Sequence, residues 1–268
     1  MFKKILLLIS LSIILVTNYA DNNKSDLMPE ECVNNPQNSK LYQALLWYRN
    51  SAEMKALYRQ IFSNAEDIIS DNINNDRLMP NKWGVALSLD GTILDNSGYT
   101  LQKLNTCNPE SIETRSQYEI NHILPATPGA AELTCGIQEI GGKVFIISNR
   151  DGGGESGINV MAATIQNLNQ NDICYDSVIF ANGIGDSNKN PRFNAITSGD
   201  YENIITSKQQ RATPLIAYFG SNIQDFPNLK QNLLSNSDGN GEAFDSFGEE
   251  YFMLPNPVGG SWQDNQLQ

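Results

Sequence analysis

The stretch "VALSLDGTILDNSGY", Val85–Tyr99, places a short apolar run directly before a polar turn. Such a run suits a strand that is buried on both faces of a sheet. The abrupt change to Ser88, Asp90 and Gly91 predicts that the strand ends there and delivers polar side chains to a loop. The pattern is typical of a catalytic loop, except that Ser88 stands where the first acidic residue of such a loop would be expected.

Three further segments repeat this arrangement of an apolar run followed by polar residues: KVFII, DSVIF and PLIAYFG. Helix-like stretches such as GAAELTCGIQEIG and GINVMAATIQNLNQ lie between them, and this alternation predicts an α/β fold with a parallel sheet covered by helices on both faces. Ligands bind beyond the carboxyl ends of the strands in such sheets. We therefore expect one crevice to be surrounded by Ser88, Asp90, Ser148, Asn149 and Ser221.

A long apolar periodicity begins near Leu41 in LYQALLWYRNSAEMKALYRQIFSNAEDII. Apolar residues recur at spacings of three and four, which predicts one long helix with a single apolar face and with Ser39 as its N-cap. The predicted face consists of Leu41, Leu45, Tyr48, Ala52, Ala56, Leu57, Ile61 and Ala65.

The N-terminal residues resemble an export signal. Lys3 and Lys4 precede an apolar run that ends at Val16, and small residues continue to Ala20. The run is about a dozen residues long, short of the roughly 20 that a membrane-spanning helix needs. We expect a signal peptide at 1–20, a flexible lead-in at 21–38, and a single domain at 39–268 with a cap-like insertion at about 98–135. The mature chain should then be periplasmic or secreted, soluble, and without a stable membrane anchor.

The formal net charge of −12 disfavours nucleic acid as a partner, because no basic stripe is present to contact phosphates. The four cysteines would meet an oxidising compartment after export and would form disulfides there. Four cysteines allow three pairings, and the sequence does not choose among them. The cysteines are Cys32, Cys107, Cys135 and Cys174.

Six segments, in order along the chain, resemble those of a known family: WYRNSAEMKALYRQIF, LDGTILDNSGY, ATPGAAEL, VFIISNR, GSNIQDF and LPNPVGGSW. On these segments the chain resembles the secreted class C acid phosphatases and lipoprotein 5'-nucleotidases of the haloacid dehalogenase superfamily, subfamily IIIB. The family's matching segments include D-L-D-E-T-V-L-D-N-S-P-Y, G-D-N-L-x-D-F and L-P-N-P-M-Y-G-S-W. The resemblance implies a Rossmann-like parallel sheet flanked by helices, with a small, mostly helical cap and N-terminal region.

The resemblance also implies hydrolysis of phosphomonoesters, including nucleoside monophosphates, through an aspartyl-phosphate and with Mg²⁺. In the family, one Asp attacks phosphorus and a second Asp acts as acid and base, the position that Asp90 holds here. Ser88 stands at the nucleophile position, and a serine hydroxyl is a poor nucleophile unless a base removes its proton. No such base is evident, because the only histidine, His122, lies in the cap-like region and is expected to be structural or at the surface.

Ser221 stands where the family has an Asp that binds the metal directly, while Asp225 keeps the later, outer acidic position of that motif. A hydroxyl is a neutral ligand, and Mg²⁺ prefers charged oxygens, so we expect Mg²⁺ binding to be weak or absent. The family's K-S-x-K-x-x-R motif reads Asp186 to Arg192 here, so that only the second lysine, Lys189, is kept. Which lysine serves the phosphate stays open from the sequence.

The expected phosphate-binding residues are therefore Ser148, Asn149 and Lys189. Gly259 replaces the Tyr of the family's last segment, so stacking of a nucleobase is in doubt. The first hypothesis is an exported pseudophosphatase that binds phosphate or a small phosphorylated ligand. The alternatives are an active acid phosphatase or 5'-nucleotidase with an altered site, and a structural or interaction protein that leaves the crevice idle; no protein partner is indicated.

Overall fold

The computed structural model of the protein describes residues 36–106, 111–183, 185–237 and 239–265. Its strands are β1 (Gly84–Ser88), β2 (Lys143–Asp151), β3 (Ser177–Ala181), β4 (Ile205–Thr206), β5 (Leu215–Gly220) and β6 (Tyr251–Met253). Within the described residues these six strands form one sheet in the order β4-β3-β2-β1-β5-β6. The pairs are parallel except for β3 with β4, which is antiparallel.

The helices of the described residues are α1 (Pro36–Asn50), α2 (Ala52–Asp76), α3 (Ser97–Thr106), α4 (Ile112–Asn121), α5 (Ala130–Glu139), α6 (Gly154–Gln170), α7 (Asn190–Ser198) and the short α8 (Gln231–Leu234). Helix α1 packs on α3, α2 on α5, and α4 on α6. The predicted α/β class is confirmed. The sheet is mostly parallel, and only the two-residue strand β4 runs antiparallel at one edge of it.

The sheet separates two hydrophobic cores, as expected for strands buried on both faces. Val85 and Leu87 of β1 point into the larger core, together with side chains of α2, α5 and α6. Ala86, between them, belongs to a smaller core with Phe193 of α7. This alternation follows from the two-residue period of a strand, and it leaves the polar residues after each strand at one end of the sheet.

The prediction of a single long helix is wrong, because the helix is interrupted at Ser51 and two helices form. The Ser51 hydroxyl accepts a hydrogen bond from the Met54 amide at 3.0 Å and caps α2. The break resets the helical phase, so that α2 buries Met54, Tyr58 and Phe62. The predicted face residues Ala52, Ala56 and Leu57 are exposed instead. Ser39 is not an N-cap, since α1 already begins at Pro36.

One of the open cysteine pairings is resolved by the structure. Cys135 of α5 is bonded to Cys174, which lies just before β3. The bond ties a helix to the sheet across a sequence separation of 39 residues. Cys32 and Cys107 lie outside the described residues.

The predicted signal peptide and all but the last residues of the predicted lead-in also lie outside the described residues. In the part of the chain that the structure describes, no helix is long and apolar enough to cross a membrane. Helices α3 and α4 lie between β1 and β2, within the segment where a cap-like insertion was expected.

Candidate active site

A cavity of about 520 Å³ lies where β1, β2 and β5 end. Ser88 is the last residue of β1, Asn149 lies near the end of β2, and Ser221 directly follows β5. These three residues and Asp90 line the cavity, as the sequence predicted. The carboxyl ends of neighbouring parallel strands bring them together although they are far apart in the chain.

The loop after β1 is held in place by a buried tyrosine of α2. The Tyr58 hydroxyl donates a hydrogen bond to the Gly91 carbonyl at 2.6 Å. Burial raises the pKa of Tyr58 well above its usual value, so the hydroxyl keeps its proton and acts as a donor. Gly91 has a φ of +73°, and a Cβ atom there would lie 2.7 Å from the Ser221 hydroxyl oxygen. Glycine is therefore required where this loop meets Ser221.

Lys189 connects Ser88 to an acidic residue that follows β5. Its Nζ donates to the Ser88 Oγ at 2.7 Å and to the Asp225 Oδ1 at 2.6 Å. Lys189 stands at the N-cap position of α7 and is only 3% exposed. Lys189 was expected at the phosphate site, and its direct contact with Ser88, from a position 101 residues further along the chain, was not predicted.

The charge state of this pair follows from its donors. The other Asp225 oxygen, Oδ2, accepts hydrogen bonds from the Ser221 and Asn222 amides, both at 3.0 Å. A carboxylate satisfies these two amides and the lysine together because ionised carboxyls accept and do not donate. Burial lowers the pKa of Lys189, and the neighbouring Asp225 opposes that effect. We assign the pair as ammonium and carboxylate.

A second buried ion pair holds Asp90. Arg150 donates from Nη2 to Oδ1 at 2.7 Å and from Nε to Oδ2 at 3.0 Å, which makes the pair bidentate. The guanidinium is 2% exposed, and its third nitrogen donates to the Thr164 hydroxyl at 3.0 Å. Burial works against the charge of Arg150, but Asp90 and Glu119 raise its pKa further above its usual value. Both oxygens at the acid/base position are thus engaged.

Glu119 of α4 is a third acidic residue at this pair. Its Oε2 lies 3.6 Å from the Arg150 Nε, and its side chain is 5% exposed. Burial raises the pKa of Glu119 to about 7, an effect that Arg150 opposes and Asp90 reinforces. Glu119 was not predicted from the sequence. Arg150 was noted only as the last residue of the segment VFIISNR, and no role was predicted for it. The polar pattern of α4 gives no signal that would single Glu119 out.

Ser148 does not reach the cavity. It is buried, and its hydroxyl accepts a hydrogen bond from the Arg150 amide at 3.1 Å. Its carbonyl accepts a hydrogen bond from Arg192 of α7. Ser148 therefore fixes the end of β2, and its expected position beside a phosphate is corrected.

The segment from Asp186 to Arg192, which corresponds to the family's K-S-x-K-x-x-R motif, reaches the cavity through its second lysine position. Lys189 lines the cavity, whereas Asp186 does not. The Asp186 carboxylate lies 3.8 Å from Arg192 instead. Asp186 therefore does not place a negative charge in the cavity wall.

His122 lies at the surface, as expected. Its ring stacks on Tyr118 with 4.0 Å between the centroids, and its Nδ1 lies 2.9 Å from the Tyr118 carbonyl oxygen.

The residues that stand at the metal position provide few charged oxygens. The Ser221 hydroxyl donates to the Asp90 carbonyl at 3.4 Å, and the Ser88 hydroxyl is bonded to Lys189. Among the described residues, no group of three or more His, Cys, Asp or Glu side chains could hold a metal ion. Two neutral hydroxyls, a carbonyl and a carboxylate already paired with Lys189 fit Mg²⁺ poorly, because this ion depends on charged oxygen ligands.

Comparisons with known proteins agree with the fold. The family model described as "HAD superfamily, subfamily IIIB (Acid phosphatase)" matches residues 7–262. The class C acid phosphatase from Bacillus anthracis has a similar structure, with a TM-score of 0.66, 21% sequence identity, and coverage of 84% of this chain and 87% of that chain. The same enzyme with tungstate bound matches with a TM-score of 0.67 at 21% identity over the same shares of the two chains. Because the family model spans nearly all of the sequence, the chain belongs to subfamily IIIB of the HAD superfamily, the acid phosphatases.

Proposed function

We propose that this member of the acid phosphatase family is a catalytically impaired pseudophosphatase that binds phosphate or a phosphorylated ligand without Mg²⁺. The observation that carries the proposal is the contact of the Lys189 ammonium with both Ser88 and Asp225. In this arrangement a protein cation lies beside the position where the family has its nucleophilic Asp.

The charge balance of the site supports the loss of the metal. Two aspartates and one Mg²⁺ sum to zero, and so do two serines without a metal. Ser88 and Ser221 together therefore remove the need for the ion's charge, whereas either serine alone would leave the balance uneven. The remaining carboxylates, Asp90 and Asp225, each have a buried cation as partner.

The same contacts weaken the chemistry that the family performs. The Ser88 oxygen accepts a hydrogen bond from the Lys189 ammonium, which draws electron density from the atom that would have to attack phosphorus. Each Asp90 oxygen accepts a hydrogen bond from Arg150, so the carboxylate has fewer acceptor positions left for exchange of a proton with a leaving group. Ser88 is therefore a weaker nucleophile, and Asp90 is a weaker general acid.

A tetrahedral oxyanion fits the remaining donors. Lys189 has a third N–H beyond its two bonds, and hydroxyls and backbone amides at the strand ends can complete an anion site. The related enzyme from Bacillus anthracis has been solved with tungstate, which is such an oxyanion. Tungstate and orthophosphate are therefore the probes of choice.

Isothermal titration calorimetry tests the proposal with both oxyanions, in Mg²⁺ and in EDTA. Binding of equal strength in both conditions is expected, and it should weaken at least tenfold in Lys189→Met and stay unchanged in the exposed matched control Lys208→Met. Ser88→Asp gives a second test, since its added charge should repel the anion. Binding in neither condition would refute the ligand-binding function and leave a structural or interaction role, and binding only with Mg²⁺ would refute metal independence.

A second candidate function, an active phosphatase, is favoured by the distance of 2.7 Å between Lys189 and Ser88. A neutral Lys189 could take the Ser88 proton while the Ser88 oxygen bonds to phosphorus and the bond to the leaving oxygen breaks. Turnover of a chromogenic phosphomonoester, with a phosphoserine at Ser88 detected by mass spectrometry after a rapid quench, would establish this alternative. The salt bridge to Asp225 argues against it, because it holds the proton on Lys189.

Export is part of the proposal. The charged and apolar pattern of residues 1–20 supports cleavage near Ala20 and a soluble protein in the periplasm or outside the cell. N-terminal sequencing of the protein recovered from cell fractions tests it, and an intact Met1 in the cytoplasmic fraction would refute it.

A further inference from the structure

The side of the cavity built by α3 and α4 differs in character from the ends of the strands. We call it the outer wall and define it by the polar and cationic residues Asn96, Thr100, Lys103, Ser111, Arg115 and Ser116, all of which line the cavity. None of these six carries a negative charge, although Glu119 of α4 also lines the cavity deeper in, beside Arg150. A ligand that reaches the outer wall would meet mainly hydroxyls and an amide.

Three side chains of the outer wall have hydrogen-bonding capacity to spare. The Thr100 and Ser116 hydroxyls and the Asn96 amide are partly exposed to the cavity, and they form no hydrogen bond with another side chain or backbone group in the described part of the chain. The Ser111 hydroxyl, by contrast, caps α4 by accepting from the Thr114 amide at 3.1 Å. A ligand with several hydroxyl groups could satisfy the first three at once.

The cavity offers little surface on which a nucleobase could stack. Tyr48 is the one aromatic residue among its described lining residues, and it is 3% exposed with its hydroxyl bonded to Tyr58. Gly259 lines the cavity without a side chain. Trp262 is 43% exposed but does not line the cavity. Bases are normally held by exposed ring faces, and none is available here among these residues.

We propose that the ligand of this cavity is a phosphorylated sugar or polyol, whose hydroxyls are recognised by Asn96, Thr100 and Ser116, and not a nucleotide. The inference rests on the proposed function, since the phosphoryl group is taken to bind near Lys189. A cavity of about 520 Å³ leaves room for a hexose beyond the phosphoryl group.

Calorimetry with glucose 6-phosphate, AMP and orthophosphate on the full-length protein tests the inference. Glucose 6-phosphate is expected to bind at least tenfold more tightly than either of the others. AMP binding as tightly as glucose 6-phosphate, or glucose 6-phosphate binding no more tightly than orthophosphate, would overturn the sugar specificity while leaving the phosphate site intact. No binding of any probe, orthophosphate included, would overturn both proposals.

Variants of the outer wall separate the two parts of the ligand. Thr100→Val and Ser116→Ala should each lower the affinity for glucose 6-phosphate about three- to tenfold, the range for the loss of one neutral hydrogen bond. Both variants should leave the affinity for orthophosphate unchanged. Thr106→Val is the matched control, because Thr106 lies on the same helix but does not line the cavity. Unchanged glucose 6-phosphate affinity in both wall variants would refute the assignment.

Gly259→Tyr provides the converse test. A Cβ atom at Gly259 would have only the Gln263 Oε1 nearby, at 3.8 Å, so the backbone tolerates a side chain there. The new ring should raise the affinity for AMP about tenfold and leave the affinity for orthophosphate unchanged, since stacking acts on the base alone. No gain for AMP in a folded variant would show that the missing ring does not set the preference.

Discussion

Replacing Glu119 with glutamine should stabilise the protein much more at pH 8 than at pH 5. The Glu119 carboxyl is buried beside Arg150, and burial raises its pKa from 4.5 to about 7. Between these two values the folded protein holds a proton that the unfolded chain has released. Wild-type stability therefore falls as the pH rises through this window, because the unfolded state binds fewer protons.

The size of the effect follows from the two pKa values. A shift from 4.5 to about 7 corresponds to a penalty of about 3 kcal/mol once Glu119 is ionised in both states. At pH 5 the unfolded chain has released only part of its proton, and the penalty is about 1 kcal/mol. Glutamine resembles the protonated acid and carries no penalty at either pH, so its advantage should grow by about 2 kcal/mol from pH 5 to pH 8.

Urea denaturation at pH 5 and pH 8, followed by tryptophan fluorescence, measures this difference. The buried Trp83 makes the signal sensitive to loss of the core. Glu113→Gln is the matched control on the same helix, since Glu113 is exposed and should show no comparable pH trend. An equal effect of Glu119→Gln at both pH values would contradict the raised pKa of Glu119. Destabilisation at pH 8 would show instead that ionised Glu119 is a favourable partner of Arg150.

Replacing Cys135 and Cys174 with serine should lower the free energy of unfolding by about 4 kcal/mol and the thermal midpoint by about 10 °C, from the entropy of a loop with a sequence separation of 39 residues. Ser88→Asp combined with Ser221→Asp should create Mg²⁺ binding that calorimetry detects in the double variant and not in the parent. Lys189→Met should lower the free energy of unfolding by about 3 kcal/mol in urea denaturation, because it leaves a buried carboxylate without its partner.

Each of these has an outcome that contradicts it. Equal melting temperatures of the parent with and without reductant would show that the disulfide does not stabilise the fold. Mg²⁺ binding to the parent as tight as to the double aspartate variant would contradict the assignment of Ser88 and Ser221 to the metal position. Wild-type stability of Lys189→Met would show that Asp225 does not depend on the lysine.

The sequence predicted the features that depend on local pattern. Short apolar runs before Ser88 and Ser221 identified strands, and the rule that parallel strands end at one edge placed their polar residues in one cavity. The single long helix was wrong because hydrophobic spacing does not reveal a break when a serine can stand either inside a helix or at its start. At Ser51 the side chain caps a new helix, so that Ala52, Ala56 and Leu57 are exposed while Ala65 is buried as predicted.

The contacts that decide the chemistry were beyond prediction for a different reason. Arg150 and Asp90 are separated by 60 residues, and Lys189 and Ser88 by 101. No periodicity within a segment specifies which cation meets which carboxylate, since this depends on how the strand ends pack. Ser148 shows the same limit, because its hydroxyl turns to the amide of Arg150 and away from the cavity.

The position of Lys189 explains how the changes at the two aspartate positions fit together. With Asp at 88 and 221, two further negative charges would lie beside Asp90 and Asp225, and only a divalent cation could balance them. With serines at both positions, Asp90 and Asp225 are each paired with one buried cation, Arg150 and Lys189, and Glu119 is a further acidic side chain beside Arg150. If only Ser88 or only Ser221 were replaced by aspartate, the new carboxylate would be buried without a cationic partner. It could gain a partner only if Lys189 gave up its ion pair with Asp225. We therefore expect the two serines to act together on the charge around Lys189 and Asp225, and we expect metal binding only when both are reversed.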